Sequence, residues 1–167
     1  MADTTSSLDP TLLQSNVDSL RIHFPDLAAR IDEARNCSPR VLAASTRDGG
    51  VNFRIQEPDG ESWFGRTSIP FVRAQALVDR FQAGQANVLL PGIGEGSEVE
   101  LLLQRLGPHR AVFVWEQNVV NLRLALQLHD FAEAIASGRL MLVLAEPARL
   151  TEAMLETLAQ LPGLLCP

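Results

Sequence analysis

The sequence predicts an α/β fold: N-terminal helices and a short antiparallel meander, followed by a three-stranded parallel half-sheet in βαβαβα order. Three observations carry that expectation. Near the N-terminus apolar residues recur at helical spacing, with Leu13, Val17, Leu20 and Phe24 on one face. Between residues 41 and 65 the period drops to two, with Asp48-Gly49-Gly50 and Pro58-Asp59-Gly60 as turns between the runs. Beyond Gln85, apolar runs without alternation (residues 88–90, 111–115 and 140–145) are separated by helical segments. Strands buried on both faces and joined through helices form right-handed crossovers in a parallel sheet.

Taken in order, Asp9 is placed to cap the first helix, and Pro10 suits its first position. Pro25 is expected to restart the helix, and a buried stripe continues through Leu27, Ile31 and Ala34. Strands at 41–46, 51–57 and 61–65 follow. In the middle one Val51, Phe53 and Ile55 alternate with Asn52, Arg54 and Gln56, which predicts one wet face. Ser68 is the expected cap of a helix that begins near Pro70 and ends before Gly84, with Arg66, Arg73 and Arg80 on its solvated side. Later helical segments span 97–106, 118–137 with a break near Asp130, and 150–161. Gly107-Pro108 and Ser137-Gly138 provide two helix stops. Trp63, Phe64, Phe113 and Trp115 are expected to pack in the core.

The change of texture divides the chain into a helical and meander part (1–84) and a Rossmann-like half-domain (85–167), expected to form one compact unit. At 167 residues such a unit buries roughly 70% of its unfolded surface, enough for a core without staples. Three parallel strands are half of the usual sheet, so an edge should stay unpaired. The apolar ending Leu161-Pro162-Gly163-Leu164-Leu165-Cys166-Pro167 reads as a linker, making this the N-terminal fragment of a longer protein. The expected partners are a downstream domain of that protein, or a second copy meeting the open edge.

Composition narrows the function classes. A formal net charge of −6 argues against nucleic acid as a partner, because a phosphate backbone needs clustered cations. No apolar run approaches the roughly 20 residues of a membrane span, and residues 1–9 lack a signal-peptide layout. Cys37 and Cys166 stand far apart without a CxxC pair, which argues against a zinc site or redox pair; a reduced, cytoplasmic protein is the expectation. All 14 basic residues are arginine, and tyrosine is absent. That removes a P-loop lysine, Schiff-base chemistry, kinase-type phosphoryl transfer and a Tyr/Lys dehydrogenase pair. No GxSxG elbow occurs. His23, His109 and His129 are scattered, and a histidine near a helix end, like His129 beside Asp130, needs no catalytic role. No catalytic residue and no metal site are expected.

One segment points toward a ligand. The run Val88-Leu89-Leu90-Pro91 stops at Gly92, Gly94 and Gly96, and an amphipathic segment follows at once. Glycines at a strand-to-helix turn let a backbone approach a nucleotide closely, with helix N-terminal N–H groups facing it. Glu116 ends the next strand 24 residues after Gly92, near the roughly 20-residue interval of a ribose-binding carboxylate. Gly92, Gly94, Gly96 and Glu116 are therefore the candidate cofactor-binding residues. The other reading is a packed turn, with Glu116 as a surface acid beside a helix start at Asn118. Ser97 replaces the last glycine of a GxGxxG pattern, and Glu95 within the loop would repel a phosphate. Glu146, ending the third strand, completes a possible set of three carboxylates around one crevice.

The glycine spacing resembles motif I of the class I S-adenosylmethionine methyltransferases, although Leu90 stands where that family has an acid. Over nearly its whole length the chain resembles the N-terminal domain of motility accessory factor glycosyltransferases. The resemblance rests on the Pro-containing helix start Thr67-Ser68-Ile69-Pro70, the GxGxG turn, Glu116, and Leu124-Ala125-Leu126 leading to Asp130-Phe131. It implies a Rossmann-like domain without cofactor, since in that family the transfer of a nonulosonic acid to a protein hydroxyl belongs to a later domain. The implied function is a non-catalytic accessory domain that positions partner or acceptor. The alternative is a degenerate S-adenosylmethionine-binding domain.

Overall fold

The computed structural model describes residues 8–37, 39–81 and 86–160. Two helices come first, α1 (Leu12–His23) and α2 (Pro25–Glu33), then strands β1 (Val41–Ser45), β2 (Val51–Glu57) and β3 (Gly60–Trp63), and helix α3 (Pro70–Arg80). The second part alternates: β4 (Val88–Pro91), α4 (Ser97–Arg105), β5 (Val112–Glu116), α5 (Val119–Leu128), α6 (Ala132–Ala136), β6 (Leu140–Leu144) and α7 (Leu150–Ala159). Helix α3 ends at Arg80, before Gly84 as expected; the boundary at 84/85 and the apolar residues 161–167 with Cys166 lie outside the described residues.

The α/β order is as predicted. Strands β4, β5 and β6 form a parallel sheet in that spatial order, Val88 opposite Val112 and Val112 opposite Leu140. Val112, Phe113 and Val114 of β5 and Leu140 and Met141 of β6 are buried, so neighbouring positions of both strands lose water on both sheet faces. That is why these runs show no alternation. Strand β4 forms one edge of this sheet, and Leu89 on it is exposed.

The N-terminal helices do not stand apart. Val17, Leu20 and Ile31 share one core cluster with Leu122, Leu126 and Ile135, so both halves of the sequence fill the same interior. Each such aliphatic side chain contributes about 1.5–3 kcal/mol through burial. Fully buried Asn16 supplies the polar register. Its Nδ2 donates to the carbonyls of Leu126 (2.9 Å) and His129 (2.8 Å), and its Oδ1 accepts from Phe131 N (2.8 Å). The break between α5 and α6, expected near Asp130, is thus bonded to α1, which satisfies the backbone groups it frees.

The antiparallel meander β1–β2–β3 forms as expected, but details within and around it differ. Strand β3 stops at Trp63, because the chain turns through Phe64–Arg66 with Gly65 at φ 66° and Arg66 at φ 55°. Arg66 therefore precedes α3 rather than sharing its solvated face with Arg73 and Arg80. Asn52 belongs to no wet face: it is fully buried, donating to the carbonyls of Phe64 (2.9 Å) and Thr67 (3.3 Å). Ser68 does not cap α3. Asp48 Oδ2, from the β1–β2 turn, accepts from Val72 N (3.1 Å) and supplies the cap across the fold. At α1 the helix starts at Leu12 rather than Pro10, and Asp9 Oδ1 accepts from Thr11 N (2.8 Å) and Thr11 Oγ1 (2.7 Å) just ahead of it. Phe64 and Phe113 are buried as expected. Trp63 and Trp115 are half-buried, Trp63 lying under the Arg54 guanidinium (4.1 Å).

Candidate functional site

The glycine turn between β4 and α4 sits at the carboxyl end of the parallel sheet. Gly92 N donates to Trp115 O (2.7 Å), carrying the β4–β5 ladder one residue past the strand. The chain then enters α4 through Gly92, Gly94 and Gly96 at φ 94°, 59° and 110°. All three lie in the region that L side chains avoid, so glycine is required here by backbone conformation alone.

Glu116 lies directly against this turn, and its carboxylate is fully engaged. Oε2 accepts from Ile93 N (3.3 Å). Oε1 accepts from Gln117 N (2.9 Å), Asn118 N (3.0 Å) and Asn121 Nδ2 (3.3 Å). Glu116 is buried, which corrects the surface-acid reading, although it does stand beside the α5 cap, where Asn118 Oδ1 accepts from Val120 N (2.9 Å). Its position holds the glycine turn and the start of α5 together.

The loop acid Glu95 is also buried, 3% exposed. Its Oε1 accepts from Ser97 N (3.2 Å) and its Oε2 from Ser97 Oγ (3.0 Å). The negative charge favoured at a helix N-terminus is thus supplied from within the turn. Two further segments close over it. Gly65 packs so tightly that a Cβ there would lie 3.2 Å from Glu95 Cγ. On the other side the His129 imidazole covers Gly96, where a Cβ would lie 2.5 Å from His129 Cδ2. The carbonyls bonded by Asn52 and Asn16 belong to these two covering segments.

His129 bridges two acids, Nε2 to Glu95 Oε2 (3.3 Å) and Nδ1 to Glu100 Oε2 (2.9 Å), and stacks on Phe131 with centroids 5.5 Å apart. It makes no pair with Asp130, whose Oδ1 accepts from Ala132 N (3.1 Å). Burial pulls the imidazole pKa down, but hydrogen bonds to Glu100 and Glu95 outweigh it and push the value up to about 9. The same hydrogen bond holds Glu100 below the usual carboxylate range. Burial raises Glu98, with Glu95 adding to the effect, while Arg73 lies 3.9 Å away and bonds Gly65 O (2.6 Å).

The His129 shift predicts a pH dependence. The folded chain holds the proton more tightly than the ordinary value of 6.5, so this stabilisation is complete below about pH 6.5 and lost as pH rises through about 9. Over that window it amounts to about 3 kcal/mol, at about 1.4 kcal/mol per pKa unit. Urea denaturation between pH 6 and 10 should show the decline, and His129→Asn should remove most of it. An equal decline in the variant would place its cause elsewhere.

The other candidate residues separate. Glu146 is exposed and lines a different hollow of about 300 Å³ with Gln117, Arg30 and Arg149, so Glu95, Glu116 and Glu146 do not ring one crevice. Further cavities of about 530, 470 and 350 Å³ lie against α6, α7 and α1. Gly92, Gly94 and Gly96 line none of these four. Among the described residues no group of three His, Cys, Asp or Glu is arranged to hold a metal ion, and no helix is long and apolar enough to cross a membrane. Sequence reasoning missed the Glu95–His129–Glu100 set. Its one signal was Glu95 itself, a carboxylate in a loop where an external anion would be unwelcome.

No protein-family model and no curated protein sequence matches this chain. Its fold is similar to part of a solved structure, the MAf glycosyltransferase from Magnetospirillum magneticum AMB-1. The likeness has a TM-score of 0.64 over 88% of this chain at 15% sequence identity. It covers 29% of the glycosyltransferase chain, so this chain spans under a third of that protein's length. At that identity the likeness concerns the fold.

Proposed function

We propose that this chain acts as a non-catalytic accessory domain of a bacterial protein-modifying glycosyltransferase or a related multidomain protein, where it positions a partner or acceptor. The observation that carries this reading is the internal occupancy of the glycine turn. Groups that a nucleotide fold offers to its ligand are spent on the chain itself: the Ile93 amide on Glu116, the Ser97 amide on Glu95, and the space above Gly96 on His129. The shared fold with one part of a longer glycosyltransferase agrees with a domain role. The edge of β4, unpaired among the described residues and carrying exposed Leu89, is the proposed place where a further domain or second copy docks.

Isothermal titration calorimetry with S-adenosylmethionine and S-adenosylhomocysteine tests the reading against its competitor, a degenerate methyltransferase-like domain. The accessory reading predicts no binding heat from a sample shown to be folded. Micromolar binding that is lost in Glu116→Ala would overturn it and make the turn a working cofactor site.

A further inference from the structure

We propose that the cavity between α1, α2 and α5 is a binding seat for an oxyanion carried on an apolar group, held by Arg35 and Arg123. The cavity measures about 350 Å³, within the range of small-ligand sites. Pro10, Leu13 and Val17 supply an apolar wall, and Asp32, Arg35 and Arg123 the charged side.

The charges there are out of balance. Among the described residues neither Arg35 nor Arg123 forms an ion pair with a carboxylate. Asp32, the acid at this cavity, is taken by Arg21 at 2.5 Å. Arg123 donates one bond, from Nη1 to Ile31 O (3.0 Å), which orients its guanidinium without neutralising it. Burial holds Arg123 below its ordinary pKa; Asp32 opposes that effect and the charge of Arg35 adds to it. Asp32 offsets part of the positive charge that Arg35 and Arg123 bring to this half-enclosed space, and among the described residues neither guanidinium fork is closed by a carboxylate within ion-pair distance. Guanidinium forks match carboxylate and phosphate oxygens in pairs, so an oxyanion is the complement, and the apolar wall calls for an apolar body attached to it. The 530 Å³ cavity beside α6 shows the opposite balance, with Glu100, Asp130 and Glu133 around Arg139. On a chain of net charge −6, this cavity gathers two arginines against the one carboxylate of Asp32.

The test is an NMR titration of the full chain, ¹⁵N-labelled, with phenyl phosphate, benzoate, inorganic phosphate and benzyl alcohol. At least one aryl anion is expected to saturate with a Kd of about 1 mM or tighter, shifting the Arg35 and Arg123 Nε–H signals and the Leu13 and Val17 amides. The stronger aryl anion tells a phosphate seat from a carboxylate seat. Arg35→Gln, at an exposed position and with circular dichroism to check its fold, should weaken binding about tenfold, the worth of one charged hydrogen bond. Arg123→Gln should do the same where circular dichroism shows it folded. No saturable shift, unchanged affinity in Arg35→Gln, or equal binding of benzyl alcohol or inorganic phosphate would overturn the proposal.

Discussion

Gly96→Ala is expected to destabilise the chain by about 3 kcal/mol, the sum of two separable costs. The first is conformational: Gly96 sits at φ 110°, and an L residue forced into left-handed backbone loses roughly 1–2 kcal/mol. The second is steric, because the new methyl would stand 2.5 Å from His129 Cδ2, and overpacking costs typically 1–3 kcal/mol. The ring cannot swing away freely, since Glu95 and Glu100 hold its two nitrogens and Phe131 lies under it. Repeating the substitution in a His129→Ala background separates the costs. There the steric part should vanish, and Gly96→Ala should cost only about 1–2 kcal/mol, a coupling detectable by urea denaturation. Equal costs in both backgrounds would mean that the imidazole does not fill the space above the turn.

Glu116→Ala is expected to cost a similar amount, about 3 kcal/mol, through lost acceptors. It strands the amides of Ile93, Gln117 and Asn118 and the side chain of Asn121. A buried donor left unpaired costs about 1–3 kcal/mol, and Ile93 is only 1% exposed, so water cannot replace the carboxylate there. Gln117 and Asn118 are exposed and recover part of their loss from solvent. Glu116→Gln should fall between, its amide oxygen accepting while its NH₂ opposes a donor. A residue kept for ligand contact alone would show the reverse pattern, with unchanged stability and lost ligand affinity. Denaturation midpoints for the three proteins decide between these patterns.

Much of the architecture was legible because it rests on local rules. Continuous apolar runs in β5 and β6 reflect burial on both faces, Pro25 and Pro70 open their helices at the first position, and Asn118 caps α5 as its side chain suggests. What stayed hidden depends on contacts between distant segments. Asn52 reads as a wet-face residue by period, yet it is buried because the Phe64–Thr67 segment folds over β2 and offers it two carbonyls. Asp48 caps a helix that begins 22 residues later, which no local signature announces.

The candidate site divides in the same way. Gly92, Gly94 and Gly96 were legible as a strand-to-helix turn, and all three adopt the backbone that requires glycine. Whether such a turn is open or filled depends on side chains from elsewhere. His129 is 34 residues from Glu95, and it reaches the turn because Asn16, on α1, bonds the chain around it. Glu116 was legible as an acid ending β5, but its four donors come from the turn and from the start of α5.

Amide hydrogen exchange at the glycine turn tests the central claim, that this turn is a structural element filled by the chain's own groups. Ile93 and Ser97 donate to the buried carboxylates of Glu116 and Glu95. Their amides should therefore exchange only with global unfolding, at the protection level of β5 and β6. Ligand-binding loops belong to the low-stability end of a fold and open locally. Protection at Ile93 and Ser97 equal to that of Val114 and Leu142 is the predicted result. Exchange orders of magnitude faster than the strands, slowed on adding an adenosyl ligand, would contradict it.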